Sequence, residues 1–397
     1  MPNMPTPSNR PRVLQVITHL ALGGAENVAA MLQRELRSGF DFGLLAVHGQ
    51  GGDAVGRALE AETRALAVPL FTGTRVPFKF GGAWLAAAGL GRAIRAFQPD
   101  IVHLHAEHAE LTAALWRRCH ADSPSCPTFV RTIHNSVYWR SWPRIGSWTE
   151  RQLSDAMIAG VSRAAREEYL RHRAASGVAA TESAPVVIYN AVNVAAVAAH
   201  GAPFRDGRLR LLAAGRFEPQ KGFDVLLAAL PLVRLPAGMQ VELTVAGQGS
   251  QRARLQALAS RAPSAWRVNL VPPLEGITHT LAQSDLVIVP SRFEGLGLVS
   301  LESTQGGRPV VATRAPGLEE TLPPTHPWLA APDDVRSLAD ALSAAIAHPA
   351  DWGNAVRHAQ GWVAEKFSLA AMTAGYARLY QSVLTRADAA RAHAAGR

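Results

Sequence analysis

The chain has 397 residues, of which 48% are hydrophobic and 18% are charged, so it can form large cores and lacks the composition of a disordered protein. The formal net charge is +9, but no nucleic-acid-binding motif accompanies it, and we expect no nucleic-acid partner. The two cysteines, Cys119 and Cys126, have no metal-ligand spacing and no disulfide framework, which favours a reducing compartment.

The sequence shows no targeting or membrane-spanning signal. Residues 1–12 are rich in proline and polar residues and lack the apolar core of a signal peptide. The longest apolar runs, such as residues 225–233, are shorter than the ~18 residues that a spanning helix needs. We therefore expect a cytoplasmic protein that is either soluble or associated with the inner face of the membrane.

From residue 12 onwards, short apolar runs alternate with helical patterns. The predicted strands of this first series are residues 13–17, 42–47, 101–104, 129–133 and 157–161. The predicted helices are residues 24–37, 83–97, 107–119, 146–155 and 162–173. Such a series is typical of a parallel sheet with helices on both faces.

A second series follows a break in the pattern. Residues 194–207 lose periodicity and contain two glycines and a proline, so we predict a linker there. The strands predicted after it are residues 209–213, 241–246, 268–271, 286–289 and 310–312. The sequence therefore predicts an N-terminal α/β domain over residues 12–193, a C-terminal α/β domain over residues 208–366 and an amphipathic helix over residues 368–386.

Residues 284–302 combine an apolar strand, a glycine-containing loop and a helix. Gly295 and Gly297 let the backbone pass close to a bound group, and the helix that follows directs its free N–H groups to the same point, which makes an anion site. Glu294 and Glu302 stand on either side of this loop. Because carboxylates would repel a phosphate, we expect them to hold hydroxyl groups. Phosphate and hydroxyl groups together suit a sugar nucleotide.

Glycines and basic residues follow two other predicted strands. Gly215, Arg216 and Lys221 follow the first strand of the second series, and Gly23 and Gly24 follow the first strand of the chain. Fixed cations stabilise a diphosphate leaving group because charge develops on it in the transition state. Arginine can bind phosphate as a fork, and lysine acts as a point charge. The structural alternative is a helix N-terminal loop that happens to be basic.

In this order, the motifs resemble those of the retaining GT-B glycosyltransferases of family 4, and the resemblance covers nearly the whole chain. It includes Thr-Ile-His-Asn at residues 132–135, Val-Ser-Arg at 161–163 and Ile-Tyr-Asn-Ala-Val-Asn at 188–193. It implies an α/β protein with two Rossmann-like, doubly wound domains that face a central cleft. The last helix would cross back to the N-terminal domain.

The resemblance also implies roles for individual residues. Arg216 and Lys221 would bind the diphosphate, Glu294 would hold the donor sugar, and Glu302 would hold the ribose hydroxyls. His134 would lie beside the donor sugar near the anomeric centre, and a structural histidine is the alternative. The expected catalytic residues are His134, Glu294, Arg216 and Lys221. The expected donor-binding positions are Gly23, Gly24, Gly215, Arg216, Lys221, Glu294, Gly295, Gly297, Leu298, Val299 and Glu302.

The implied reaction transfers a sugar from a UDP- or GDP-sugar to a glycan or lipid-linked acceptor, with retention and without a protein nucleophile, in cell-surface polysaccharide or glycolipid synthesis. No Asp-x-Asp motif occurs, so we expect a metal-independent reaction with no cofactor besides the nucleotide-sugar co-substrate. A glycosidase is not expected, because eight helical positions separate Glu294 and Glu302 by about 12 Å, whereas a retaining pair needs about 5 Å. A nucleotide-sugar 2-epimerase and a catalytically silent binder are the alternatives on this scaffold.

An aromatic segment is the last notable feature. Residues 138–148 hold three of the nine tryptophans, with Arg140 and Arg144 among them. Such a mixture suits a membrane interface or a lipid-linked acceptor, and a loop that packs on its own domain is the alternative. We expect four residues on the acceptor side: His105, Asn135, Trp139 and Trp142.

Overall fold

The computed structural model describes residues 10–20, 23–49, 54–120, 126–179, 184–192, 207–274 and 276–395. The chain divides into two compact units. The first comprises Met1–Asn190 and Ala370–Arg397, and the second comprises Ala191–Leu369. The predicted linker, residues 194–207, lies outside the described residues except at its last position.

The first unit is built on a parallel sheet. Its strands are β1 (Arg12–Ile17), β2 (Asp41–Ala46), β3 (Leu70–Thr72), β4 (Ile101–His105), β5 (Thr128–Ile133), β6 (Met157–Gly160) and β7 (Val186–Val187). They form one seven-stranded sheet in the order β3-β2-β1-β4-β5-β6-β7, and all neighbours are parallel. The five strands predicted here are confirmed, while β3 and β7 were not predicted.

Helices connect these strands. They are α1 (Gly24–Leu36), α2 (Ala54–Ala65), α3 (Gly82–Phe97), α4 (Glu107–Arg118), α5 (Pro143–Gln152) and α6 (Arg163–Ala175). Helix α2 was not predicted from the sequence, and most of its apolar residues are alanines. A short 3-10 turn, Phe78–Phe80, precedes α3.

The second unit repeats this architecture. Its strands are β8 (Arg208–Ala214), β9 (Gln240–Ala246), β10 (Trp266–Val271), β11 (Leu286–Val289), β12 (Val310–Thr313) and β13 (Leu329–Ala330). They form a six-stranded parallel sheet in the order β10-β9-β8-β11-β12-β13. Its helices are α7 (Phe223–Ala229), α8 (Arg252–Ala259), α9 (Ile277–Gln283), α10 (Leu298–Gln305), α11 (Val335–Ala347) and α12 (Trp352–Lys366).

A final helix, α13 (Leu369–Ala395), belongs to the first unit from residue 370 onwards. The hydroxyl of Tyr380 lies 2.7 Å from Nδ1 of His103 in β4, and the hydroxyl of Tyr376 lies 3.2 Å from Oγ1 of Thr132 in β5. Both tyrosines are fully buried, so α13 is part of the core of this unit. Among the described residues, no helix combines the length and the apolar character needed to cross a membrane.

Each sheet has a point where the order of strand addition reverses. In the first unit β1 lies between β2 and β4, and in the second unit β8 lies between β9 and β11. Doubly wound sheets bind ligands at this point, outside the carboxyl ends of the strands. The loops after β1 and β4 in the first unit, and after β8 and β11 in the second, are therefore the expected positions of a ligand site.

Candidate functional site

Two loops of the second unit touch each other at the ends of β8 and β11. The first loop ends in a 3-10 turn that contains Lys221, and Gly222 follows with a φ of +64°. A Cβ atom on Gly222 would lie 2.0 Å from the carbonyl oxygen of Pro290, which follows β11. Only glycine therefore fits, because it both adopts this φ and allows the close approach.

The contact brings two of the predicted catalytic residues together. Nζ of Lys221 donates to Oε1 of Glu294 over 2.7 Å, and the hydroxyl of Ser291 donates to the same oxygen over 2.6 Å. The two side chains are largely buried, with 17% of Lys221 and 7% of Glu294 exposed. The two residues were predicted to have separate partners, phosphate and sugar, whereas in the structure they form an ion pair.

The backbone of Glu294 is fixed by the loop after β12. Its N–H donates to the carbonyl of Pro316 over 2.9 Å. Gly317 has a φ of +79°, and a Cβ atom there would lie 2.2 Å from the carbonyl oxygen of Glu294. This glycine is required by close backbone packing, so the Pro316–Gly317 turn positions the carboxylate of Glu294.

Arg292 connects the same two loops, and it was not predicted as a site residue. Its guanidinium donates to both carboxylate oxygens of Asp224, over 2.9 and 3.1 Å, and to the carbonyl of Pro219 over 2.6 Å. Its backbone N–H donates to the carbonyl of Gln220. No local spacing signals this pairing, because Asp224 and Arg292 are 68 positions apart in the chain. Arg292 therefore braces the loop that carries Lys221.

Arg216 differs from Lys221 in being exposed. Its guanidinium donates to Oε1 of Gln220 over 3.1 Å, and this contact is at the surface. Gln220 in turn donates to the carbonyl of Phe293, in the loop after β11. Arg216 is thus placed beside the Lys221 loop with most of its donors facing solvent, where an anion could reach them.

The start of α10 completes this side of the site. Gly297 is its N-cap with a φ of +56°, and Leu298 and Val299 are its first two residues. The first N–H groups of a helix have no partner within the helix and carry partial positive charge. Glu302 lies in the second turn. Its burial raises its pKa to about 7, and in the described part of the chain its carboxylate has no hydrogen-bonding or ionic partner.

The predicted glycine loop of the first unit carries a carboxylate of its own. Gly23 is the N-cap of α1, and Gly24 is its first residue. A Cβ atom on Gly23 would lie only 2.1 Å from Oε2 of Glu26, so the Glu26 side chain folds back over the helix start. An acidic group at a helix N-terminus is stabilised by the helix dipole. A phosphate at this point would therefore meet a negative charge.

Three histidines lie side by side: His103 and His105 in β4, and His134 directly after β5. Nδ1 of His105 lies 3.0 Å from Nε2 of His134, and the rings of His103 and His105 are 4.0 Å apart. Burial lowers the pKa of His134 to about 3, so this imidazole is neutral at physiological pH. Burial, and then the neighbouring histidines, lowers the pKa of His105 well below its ordinary value.

Two polar atoms near this histidine pair are buried and lack partners among the described residues. They are Nε2 of His105 and Oδ1 of Asn135, which follows His134 in the chain. Buried polar groups are normally hydrogen-bonded, and exceptions need an explanation such as a ligand or water. His105, His134 and Asn135, all singled out from the sequence, therefore share one corner of the first sheet with unused hydrogen-bonding capacity.

Trp139 was predicted to lie on the acceptor side, and this prediction is wrong because its side chain is buried. Trp139 is only 1% exposed, and its indole N–H donates to Oε2 of Glu110 over 3.2 Å. Its backbone N–H donates to Oε1 of Glu107 over 2.6 Å. It therefore packs on its own domain, the alternative interpretation of the aromatic segment. Trp142 and Ile145 remain exposed, at 42% and 40%, and a membrane contact there stays a prediction.

A buried ionic network lies next to Trp139 in the core of the first unit. Arg131 donates to Oε2 of Glu150 over 2.8 Å and lies 3.3 Å from Oε2 of Glu110. Arg173 donates to the other oxygen of Glu150 over 2.8 Å, and Tyr138 donates to Glu110. Two cations and two anions balance inside the core. Arg131 is therefore a core residue and does not contribute to a basic surface.

Within the described residues, no group of three or more histidine, cysteine, aspartate or glutamate side chains is arranged to hold a metal ion.

Comparison with protein families gives two matches. The model described as Glycosyltransferase Family 4 matches residues 22–196, and the model described as Glycosyl transferases group 1 matches residues 208–348.

Curated relatives resemble parts of the chain. Glycogen synthase of Rhodopseudomonas palustris is 30% identical over 302 residues, which cover 62% of this chain and 60% of that protein. D-inositol 3-phosphate glycosyltransferase of Arthrobacter is 34% identical over 166 residues, or 39% of each protein. The chain thus spans less than two thirds of the length of these relatives.

A solved structure resembles nearly all of it. HepE of Anabaena, in complex with UDP-glucose, matches with a TM-score of 0.75 at 19% identity, covering 94% of this chain and 99% of that chain. At this identity the likeness shows the fold. Together with the two parallel sheets it establishes the GT-B fold with two Rossmann-like domains, which confirms the fold class expected from the sequence.

Proposed function

We propose that this chain, which has the GT-B fold and matches two glycosyltransferase family models, is a retaining glycosyltransferase that uses a nucleotide-sugar donor. One observation carries the proposal. Lys221 and Glu294 form an ion pair where the loops after β8 and β11 meet, next to the N-terminus of α10 in sequence. A cation, a carboxylate and a helix start are the groups that a sugar diphosphate needs.

In the proposed reaction, Lys221 and the exposed Arg216 pair with the diphosphate as the bond to the sugar breaks. The first N–H groups of α10, at Leu298 and Val299, add positive partial charge to the same leaving group. Such preorganised groups stabilise a transition state because they need no rearrangement as charge develops. Glu294 would accept hydrogen bonds from hydroxyls of the donor sugar.

The nucleoside would lie further along α10. Glu302, whose carboxylate has no partner in the described part of the chain, would accept hydrogen bonds from the ribose hydroxyls. HepE was solved with UDP-glucose, which supports a UDP-sugar as the first donor to test. A GDP-sugar is the other donor that the sequence analysis proposed.

The first unit would receive the acceptor. His134, kept neutral by burial, would act beside the donor sugar as a hydrogen-bonding group and not as a cation. We propose a glycan or lipid-linked acceptor and a role in cell-surface polysaccharide or glycolipid synthesis. The reaction would proceed on the front face of the sugar without a protein nucleophile. A cytoplasmic location and a contact with the inner face of the membrane stay predictions.

The test is a donor panel of UDP-, GDP- and ADP-sugars, with binding measured by calorimetry and turnover followed by NMR. We expect one donor to bind, to be hydrolysed slowly or transferred, and to yield an α-configured product from an α-configured donor. Chelator should leave the rate unchanged, because the two cationic side chains serve the leaving group. A β-configured product, or complete loss of activity that added metal restores, would overturn the mechanism. Isomerised sugar nucleotide without transfer would favour the 2-epimerase alternative.

A further inference from the structure

Four aromatic rings form a half-exposed surface on the first unit, which we call the ring surface (His48, Phe78, His108 and Trp142). We propose that the ring surface binds a pyranose ring of a glycan acceptor by stacking and by hydrogen bonds to its hydroxyls. The proposal rests on the proposed function and names the class of acceptor that this function would use.

The rings of the surface touch one another in series. The ring centroids of His48 and Phe78 are 4.6 Å apart, those of Phe78 and His108 are 4.8 Å apart, and those of His48 and His108 are 5.1 Å apart. Trp142 continues the series at 5.7 Å from His108. Trp142 is 42% exposed, and the other three rings are half-buried. The four rings thus form one continuous patch with access to solvent.

The position of the patch in the fold points to a ligand. His48 follows β2, Phe78 follows β3, His108 follows β4 and Trp142 follows β5, so all four lie beyond the carboxyl ends of strands of the same parallel sheet. Doubly wound sheets bind their ligands at this edge. A purely structural aromatic cluster would be expected between a helix and the sheet, where its rings would be fully buried.

The chemistry of the patch suits a sugar. Burial, and then the charge of His48, lowers the pKa of His108 to about 4, so its imidazole is neutral. A neutral imidazole offers one donor and one acceptor, and an indole offers a donor. The ring nitrogens of His48, His108 and Trp142 have no partner in the described part of the chain. Pyranoses need this combination, since they present an apolar C–H face and a rim of hydroxyls.

The patch is held in place and lies next to the candidate site. Glu107, the first residue of α4, accepts the backbone N–H of Trp139 and so ties the start of α4 to the loop that leads to Trp142. Ala106, the residue before Glu107, has φ 75° and ψ 165°. This backbone conformation is costly for residues other than glycine and persists mainly at functional sites. His105, which precedes Ala106, bonds to His134. The ring surface is therefore continuous in sequence and structure with the histidine pair.

The experiment measures sugar binding directly on the full chain. Saturation-transfer NMR would use methyl α-D-glucopyranoside, methyl α-D-galactopyranoside and methyl α-D-mannopyranoside as separate probes. We expect at least one glycoside to show transfer to its ring C–H protons. Trp142→Ala should weaken its binding by about tenfold and His108→Ala by about threefold, on the scale of one aromatic contact and one hydrogen bond.

The matched control is Trp84→Ala, which removes another exposed tryptophan of the same unit, at 56% exposure, outside the ring surface. This variant should bind the glycoside as the wild type does. No transfer to any of the three glycosides, or equal weakening by Trp84→Ala and Trp142→Ala, would overturn the proposal. Loss of binding to vesicles of phosphatidylcholine and phosphatidylglycerol in Trp142→Ala, with glycoside binding unchanged, would instead identify a membrane surface.

Calorimetry with UDP and GDP separates this proposal from the proposed function. If both nucleotides fail to bind while the glycoside result holds, the donor assignment fails and the ring surface stands as a sugar site. If a nucleotide binds and Trp142→Ala keeps full glycoside affinity, the ring surface is refuted and the donor assignment stands.

Discussion

The ion pair between Lys221 and Glu294 makes the substitution Lys221→Ala the most informative change in the chain. Nζ of Lys221 lies 2.7 Å from Glu294 Oε1, and only 7% of the Glu294 side chain is exposed. Without the lysine, Ser291 is the remaining side-chain donor to that oxygen among the described residues. Removing one partner of a largely buried, charge-assisted hydrogen bond leaves a poorly solvated charge, which costs about 1.5–3 kcal/mol.

We therefore expect two effects from Lys221→Ala. The free energy of unfolding should fall by about 1.5–3 kcal/mol, because the largely buried Glu294 loses its cationic partner. The value of kcat/KM should also fall by roughly 10²–10³, the scale of losing one preorganised partner of the leaving group. Urea unfolding and donor kinetics measure the two effects on the same preparation.

Two variants separate the structural from the catalytic loss. Arg216→Ala removes an exposed guanidinium whose side-chain contact is with Gln220, so it should lower kcat/KM without moving the unfolding midpoint. Lys221→Ala combined with Glu294→Gln should recover part of the stability, because no carboxylate is left unpaired, and should stay inactive. If Lys221→Ala keeps near-wild-type turnover, with or without a stability loss, the Gly215–Gly222 loop is not the diphosphate site.

Three other groups have measurable consequences. Burial raises the pKa of Glu302 to about 7, so the stability that its bound proton contributes is complete below about pH 4 and is lost as the pH rises through 7. Glu302→Gln should therefore reduce the pH dependence of the unfolding free energy, measured with urea, between pH 5 and 8. An unchanged pH dependence in this variant would contradict the raised pKa. Arg131→Met should lower the unfolding free energy by about 3–5 kcal/mol, because it leaves buried carboxylates unpaired. The control Arg34→Met removes more exposed ion pairs and should change the unfolding free energy by at most about 1 kcal/mol. Similar losses in the two variants would contradict a stabilising role of the buried network. With a pKa of about 3, His134 should give no inflection in the pH–rate profile between pH 5 and 8. His134→Ala should lower kcat by about 10²-fold. An inflection near pH 6.5 in the wild type that disappears in this variant would refute a neutral His134.

The architecture was readable from the sequence because its central strands are buried on both faces. Continuous apolar runs such as Leu286–Val289 predict such strands directly. The strands that were missed have two or three residues, as in Val186–Val187 and Leu329–Ala330. Such short segments become strands by pairing with a neighbour and carry no periodicity of their own. Sequence patterns therefore predicted the middle of each sheet and missed parts of its edges.

The site was readable only where glycine or charge follows a strand within a few positions. Lys221 and Glu294 were each found in this way, yet their pairing was not, because 73 positions separate them. No local pattern marks Arg131 as buried, and its carboxylate partners, 19 and 21 positions away, place it in the core. Side-chain pairing between loops depends on tertiary packing, which local patterns do not contain.

The ion pair also suggests how the proposed site would distinguish a donor from its product. In the free chain Lys221 donates to Glu294, so a diphosphate has to share Lys221 with a carboxylate that repels it. A nucleotide-sugar can do this without leaving a charge unsatisfied, because its phosphate takes Lys221 while its sugar hydroxyls take Glu294. A nucleoside diphosphate has no such hydroxyls and would leave Glu294 with Ser291 as its side-chain donor among the described residues. Since an unsatisfied buried carboxylate costs free energy, the pair would favour the proposed donor with its sugar attached and would weaken binding of the product.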